Sequence, residues 1–460
     1  MAGGPRRVAP PSEPGWYRPV AFAATAIMLV LLMVVIRGIE PPGQQHSGAG
    51  TTMALGFLLL AATLMGVVAE AARLPRITGF LVAGLLLGPE VMGLVTSRNL
   101  LDFSALSRFA IGIIAFVAGG ELKPNLLRGR VRGLLTLLLS EMGAVLILVG
   151  ALLLALRHHI PFLAGREWLE VIALTLVFAS IATVHSPAVT IALLNETGAR
   201  GPVATTSLAV VVLADVIVVL LVSLALSFAN TVVGGGGFSA TQLAIVAWEL
   251  IGAAVVGALL GFVVALYLRH VGRQLVFFVI FLVFFGYEIA QALHVEFMLF
   301  MLAAGFFVEN ISPVEGEPLI RAVDAISVPA YALFFAIAGA SIHLTELAEL
   351  WPLALAIVAT RALALRFGSR WGARAAGMEP AVQRLLWRGL VSQAGVALGL
   401  ATVAARVLGE SGSAMLTMFL AMIAIHELIG PLLFRSALAA AGELKPRHEE
   451  TDTRTPVPAG

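Results

Sequence analysis

Residues Leu208–Leu220, LAVVVLADVIVVL, carry one carboxylate, Asp215, inside an unbroken apolar run. The run extends from Pro202 to Phe228, so Asp215 stands thirteen residues from either end. At 1.5 Å per helical residue that is about 20 Å in each direction, which is enough to span a bilayer core. A charge at such depth costs at least ~2.5–3.5 kcal/mol against lipid, so the carboxylate must face protein or water. Two readings follow: a buried acid satisfied by a neighbouring donor, or an ion or proton site. For an intramembrane acid the second is the working expectation.

Composition sets the class. The chain has 460 residues, of which 59% are hydrophobic and 12% charged, with a mean hydropathy of +0.98. Soluble domains carry about 25% charge, so half that value describes a polytopic membrane protein. A net charge of +2 does not point to nucleic acid, and the basic residues collect in particular loops. With no cysteine there are no disulfides and no thiolate chemistry or ligands. No resident cofactor is expected.

Apolar runs long enough to cross a ~30 Å core number fourteen. They lie near 20–36, 52–70, 76–96, 105–122, 133–156, 168–194, 202–228, 242–267, 273–292, 294–310, 325–344, 350–372, 384–407 and 413–434. The first follows Arg6, Arg7 and Arg18 but lacks a small-residue cleavage site, and reads as a retained transmembrane helix. Arg73 and Arg76, then Lys123, Arg128, Arg130 and Arg132, then Arg269 and Arg273, then Arg370, Arg374, Arg384 and Arg388 fall in alternate loops. That alternation places both termini on the cytoplasmic side. The expected organisation is a polar N-terminus (1–17), a membrane domain (18–436) and a polar tail (437–460). The glycine tract 234–237 falls in an outside loop.

The membrane domain shows weak internal symmetry. One six-helix set covers about 52–228, a connector helix 242–267, and a second set about 273–434. In the fifth helix of the first set, Thr183-Val-His185-Ser186-Pro187 places proline inside an apolar span. In the fifth helix of the second, Ser392-Gln393-Ala394-Gly395 places polar and glycine residues at the matching point. Interrupted helices at equivalent places in two halves mark a transporter site at the midplane. Each alone would be an ordinary kink or packing glycine.

Several stretches resemble the cation:proton antiporter superfamily, in its bacterial sodium/proton and potassium-efflux branch. They are Leu74-Pro75-Arg76-Ile-Thr-Gly79-Phe80 running to Gly88-Pro89, Ile114-Ala-Phe116-Val-Ala-Gly119-Gly120-Glu121-Leu122, and Ala182 to Thr190. Phe334-Phe335-Ala-Ile-Ala-Gly339-Ala-Ser-Ile and Glu427-Leu-Ile-Gly-Pro431 complete the series. They occur in family order from about residue 70 to 436. The resemblance implies an all-α fold of about 13–14 transmembrane helices, with two inverted six-helix repeats and crossing broken helices. It also implies a homodimer in the cell membrane, bacterial inner membrane by the branch, with a core that moves against a dimer panel in an elevator-like cycle. By position, Asp215 matches the family's ion-binding aspartate, and Arg361, in Ala359-Thr-Arg-Ala-Leu, the basic residue facing it. Thr183, Ser186 and Gln393 fall in the breaks, beside Pro187 and Gly395. The sequence departs from the family at three points. Ala214 replaces the second acid of electrogenic members or the asparagine of electroneutral ones. Val210 stands where a glutamate often pairs with the arginine, and His185 where a small hydroxyl residue is usual.

The residues suggest a chemistry. A lone carboxylate out of water binds either a proton or a cation near neutral pH, and broken helices offer carbonyl oxygens to a monovalent ion such as sodium or potassium. Ser186 and Thr183 hydroxyls complete the expected shell. One titratable acid makes one proton for one cation the simplest exchange, hence electroneutral. Arg361 stays charged and needs a partner: Asp215, Glu141 in the fifth span or Glu288 in the ninth, unless it snorkels to a helix end. His185 is a proton-linked sensor or a structural histidine bonded to a carbonyl. His426-Glu427 is packing or a minor gate, Glu121 pairs with Lys123 or Arg128, and His158-His159 is too small a set to bind metal. An intramembrane hydrolase is disfavoured by the lack of HExxH or paired aspartates, and a channel by the lack of a filter repeat. The alternatives to exchange are a sodium-coupled organic solute symporter of the same fold type, or a cation channel.

Overall fold

The computed structural model describes residue 28 and residues 48–121, 131–233, 240–312 and 317–444, and among these it contains helices and turns without strands. In chain order the helices are α1 (Gly48–Ala71), α2 (Arg76–Leu87), α3 (Ser97–Asp102), α4 (Ser104–Glu121), α5 (Val131–Ala155), α6 (Trp168–Ala182), α7 (Pro187–Thr197) and α8 (Pro202–Val233). There follow α9 (Ala240–His270), α10 (Leu275–Leu293), α11 (Phe297–Asn310), α12 (Glu317–Ala340), α13 (Leu344–Ala375), α14 (Pro380–Leu385) with a 3-10 turn at Leu386–Gly389, α15 (Gly395–Leu408) and α16 (Glu410–Ala441).

Eight spans among the described residues are long and apolar enough to cross a membrane, and five shorter apolar helices accompany them. Thirteen of the fourteen expected spans coincide with these helices. The first, 20–36, lies outside the described residues except for residue 28, which is helical. The side chains of Glu121, Lys123 and Arg128, and the glycine tract 234–237, also lie outside them. The last helix runs past the expected 434 to Ala441 and ends at Gly442 with φ +72°. The segment Arg435-Ser-Ala-Leu-Ala-Ala-Ala consists mostly of strong helix formers, which continue the helix beyond the apolar run.

Backbone contacts divide the chain into two compact units. One takes the described residues of Met1–Ala110 and Ile326–Ile342. Its helices approach closely through glycine: a Cβ on Gly84 would lie 1.9 Å from Ala336 O, and one on Gly339 2.1 Å from Leu81 O. Thr96 and Asn99 cap the start of α3 reciprocally, and Asn99 Nδ2 donates to Thr51 Oγ1 at 3.3 Å.

The other unit takes Ile111–Ala325 and His343–Gly460 where described, and it holds the residues singled out above. Here α13 lies along α5. Arg361, Gly368 and Gly372 recur seven and four residues apart and form one stripe on α13. A Cβ on Gly368 would stand 2.7 Å from Glu141 Cα, and one on Gly372 2.7 Å from Leu137 Cα. Ser140 Oγ donates to Gly368 O at 2.9 Å. The glycine stripe therefore draws α13 onto α5 and carries Arg361 into the same interface. Phe178 of α6 stacks on Phe419 of α16, with centroids 4.4 Å apart, which fixes α6 on its other side.

Candidate ion site at two broken helices

The break after α6 follows from local sequence. Pro187 has no N–H and forces the preceding residue out of the helical region, and Ser186 sits at φ −104°, ψ 102°. Proline then serves as the first residue of α7, and Ser186 Oγ accepts from Val189 N at 3.3 Å as its cap. Thr183 Oγ1 donates to Ser180 O at 2.7 Å. The second break, Leu390–Ala394, separates the 3-10 turn from α15, which starts at Gly395. Gln393 joins the two: its Nε2 donates to Ala182 O at 3.2 Å and Ile181 O at 3.4 Å. Its Oε1 is buried and has no hydrogen-bond partner among the described residues.

Helix C-termini leave carbonyls without partners and carry negative partial charge. Arg361 answers both breaks at once. Nε donates to Ala182 O at 2.6 Å, Nη2 to Val184 O at 2.7 Å and Leu390 O at 3.3 Å, and Nη1 to Val391 O at 2.6 Å. Nη1 also reaches His426 Nε2 at 3.4 Å, so that nitrogen accepts and the His426 proton sits on Nδ1. Arg361 is fully buried at mid-helix, so it does not snorkel. No ion pair joins it to Asp215 among the described residues. The acid that acts on it is Glu141, buried at 0% exposure. Glu288 is exposed on α10 and is not placed to be its partner.

His185 lies in the first break, with Nδ1 2.8 Å from Leu390 O and Nε2 3.0 Å from Glu141 Oε1. It thus bonds a carbonyl and a carboxylate together. Glu427 is buried beside His426 in α16. His158 is engaged by Arg157 Nε at 3.1 Å, and no cluster of three metal-ligating side chains occurs among the described residues.

Asp215 sits on α8, which packs against α6, α7 and α15. From the turn at 198–201, α7 rises ten steps to Pro187, about 15 Å, while α8 rises thirteen steps from Pro202 to Asp215, about 20 Å. Asp215 thus lies mid-way along a helix that packs on the one starting at the first break. Its Oδ1 is buried without a hydrogen-bond partner among the described residues. Two buried acceptor oxygens, Asp215 Oδ1 on α8 and Gln393 Oε1 in the second break, are thus without hydrogen-bond partners among the described residues, and a hard cation takes oxygens of this kind as ligands.

The sequence reading missed Glu296. It caps α11, accepting from Met298 N at 2.9 Å and Leu299 N at 2.5 Å, and lies within Coulombic range of Asp215. Its signal was an acid at the boundary between two apolar runs, at the N-cap position. Glu443 was also missed: its carboxylate accepts from Val203 N at 2.7 Å and Ala204 N at 2.8 Å, capping the start of the Asp215 helix.

Comparison with known proteins agrees with this architecture. The sodium/hydrogen exchanger transmembrane family model matches residues 56–439. No curated protein sequence matches the chain. Among solved structures, the chain is similar to the sodium proton antiporter MjNhaP1 from Methanocaldococcus jannaschii at pH 8. The TM-score is 0.62 at 18% identity, covering 85% of this chain and 97% of that one. An electron-microscopy structure of the same antiporter gives a TM-score of 0.64 at 17% identity, covering 85% and 98%. At such identity the likeness speaks for the fold, while the family match spans most of the sequence. The chain belongs to the transmembrane sodium/hydrogen exchanger family.

Proposed function

We propose that the protein exchanges a monovalent cation, sodium or potassium, for protons across a cell membrane, with Asp215 as the group both ions contend for. The observation that carries this reading is the buried Oδ1 of Asp215, without a hydrogen-bond partner among the described residues, on a helix that packs against helices flanking both breaks in one compact unit. Ionised, the carboxylate draws a cation; protonated, it needs none, so one site alternates between two cargoes. Gln393 Oε1 is a candidate co-ligand by chemistry, since it too lacks a partner among the described residues. Thr183 and Ser186 hydroxyls and break carbonyls supply further oxygens. Arg361 and Gln393 tie the two breaks into one body, as an elevator-like movement of the site requires.

With Ala214 and Val210 flanking Asp215, one proton per cation is the expected ratio and exchange is electroneutral. Membership of a homodimer fits the same reading. The test is a dye-based pH assay in vesicles containing the purified protein, pulsed with sodium, potassium or lithium. Dequenching by any of them, unaltered when the membrane potential is clamped, is the expected result. Strong dependence on potential overturns electroneutrality. No response to any cation, together with uptake of an organic solute, overturns exchange in favour of symport.

A further inference from the structure

We infer that the groove between the start of α5 and the end of α13 binds a phospholipid with an anionic headgroup. The phosphate sits at Arg374 and Arg132, and one acyl chain lies along the groove. Nothing in this site depends on exchange at Asp215.

Small residues build the groove. At Gly372 the helices touch backbone to backbone, since a Cβ there would stand 2.7 Å from Leu137 Cα. Beside that contact runs a groove of about 400 Å³, lined by Thr136, Ser140, Trp371, Gly372, Arg374 and Ala375. Its volume falls in the range of about 300–1,000 Å³ usual for ligand pockets. Gly372 meets Leu137 and Gly368 meets Glu141, so the two helices run antiparallel. The first turn of α5 and the last turn of α13 therefore share one end. The alternation of arginines puts that end on the cytoplasmic side.

The interior of the groove offers hydrocarbon, and its mouth offers donors. Thr136 Oγ1 donates to Arg132 O at 2.8 Å and Ser140 Oγ to Gly368 O at 2.9 Å. Neither hydroxyl has a hydrogen left for a ligand. No acid lines the groove among the described residues. Arg374, in the last turn of α13, is exposed, and its side chain has no ion pair or hydrogen bond among the described residues. The same holds for Arg132, one turn below Thr136 on the same face of α5. Trp371 is 78% exposed. In water so open an indole is costly; at a bilayer interface its ring meets acyl chains and its N–H the headgroups.

These features select the occupant. A soluble polar ligand would find no free donor inside the groove, and a neutral lipid would leave two arginines without a counter-charge. An anionic phospholipid meets both conditions, with hydrocarbon against Ala375 and the Thr136 methyl and phosphate against the guanidiniums. Cytoplasmic leaflets supply such lipids, and each basic residue near their surface adds about fivefold in affinity.

The test titrates the purified full chain in detergent with phosphatidylglycerol, phosphatidylcholine or soluble glycerol 3-phosphate, and follows bound lipid by native mass spectrometry. Phosphatidylglycerol should be retained well above phosphatidylcholine, and glycerol 3-phosphate should not displace it. Arg132→Gln combined with Arg374→Gln should weaken phosphatidylglycerol on the order of twentyfold and leave phosphatidylcholine unchanged. Arg269→Gln combined with Arg273→Gln, at exposed arginines at and just past the end of α9, should alter neither. Equal retention of the two lipids, or an equal loss in the α9 pair, overturns the proposal. Displacement by glycerol 3-phosphate overturns it in favour of a soluble anion. Ala375→Phe, at an exposed helix end, fills the groove and leaves every arginine in place. It should bring phosphatidylglycerol down to the level of phosphatidylcholine, and a retained preference overturns the groove as the site. Thermal unfolding without added lipid checks that each variant is folded; if the Arg132 and Arg374 pair is not, Ala375→Phe decides.

Discussion

Asp215, with one buried carboxylate oxygen, and Arg361, fully buried, lie in the same compact unit, yet their surroundings are opposite. All the donor groups of Arg361 find acceptors: four carbonyls at the ends of two broken helices, and His426. Asp215 keeps a buried oxygen with no hydrogen-bond partner among the described residues. A satisfied charge serves the fold, because removing it orphans everything it holds. An unsatisfied one is kept at a cost in stability and is the place where a ligand belongs. Sequence position alone makes the two look like a facing pair; their hydrogen bonds give one a structural role and leave the other open, as the proposed ion site requires.

The contrast predicts unequal losses of stability, the greatest at Arg361. Arg361→Leu leaves Ala182, Val184, Leu390 and Val391 carbonyls and Glu141 without their cation, and should destabilise the protein by about 3–5 kcal/mol. Thermal unfolding in detergent checks this, and an unchanged midpoint would mean the breaks hold themselves. Gly368→Ala places a methyl 2.7 Å from Glu141 Cα and should cost about 1–3 kcal/mol through forced separation of α13 from α5. Glu443→Ala removes the cap on Val203 and Ala204 and should cost about 1 kcal/mol, less at high salt. Asp215→Asn should have the smallest effect on unfolding, and of either sign except strongly negative, because an unpartnered carboxylate is replaced by a neutral amide of equal size.

Much of this was legible before any coordinates. The spans followed from hydropathy, because a bilayer leaves the chain few alternatives to long apolar helices. The first break followed from Pro187, which acts locally through its missing N–H, and the second from the polar and glycine residues Ser392-Gln393-Ala394-Gly395 inside an apolar span. What sequence could not disclose was partnership across distance. Arg361 meets carbonyls 179 and 30 residues away, and backbone acceptors leave no mark in a side-chain pattern. Glu141 was one of three candidate acids for Arg361. Only the glycine stripe at 368 and 372, read with the packing of α13 on α5, brings it rather than Glu288 to that interface. Glu443 sits in a stretch expected to be a polar tail, where one acid looks like any other until the start of α8 is seen beside it.

Asp215 alone is proposed as the group at which proton and cation compete. The direct test is cation-driven proton movement in vesicles containing Asp215→Asn, with wild type alongside and the folded state of both checked by thermal unfolding. The account predicts a folded variant with no exchange for sodium, potassium or lithium. Retained pH-driven cation movement in that variant would contradict it.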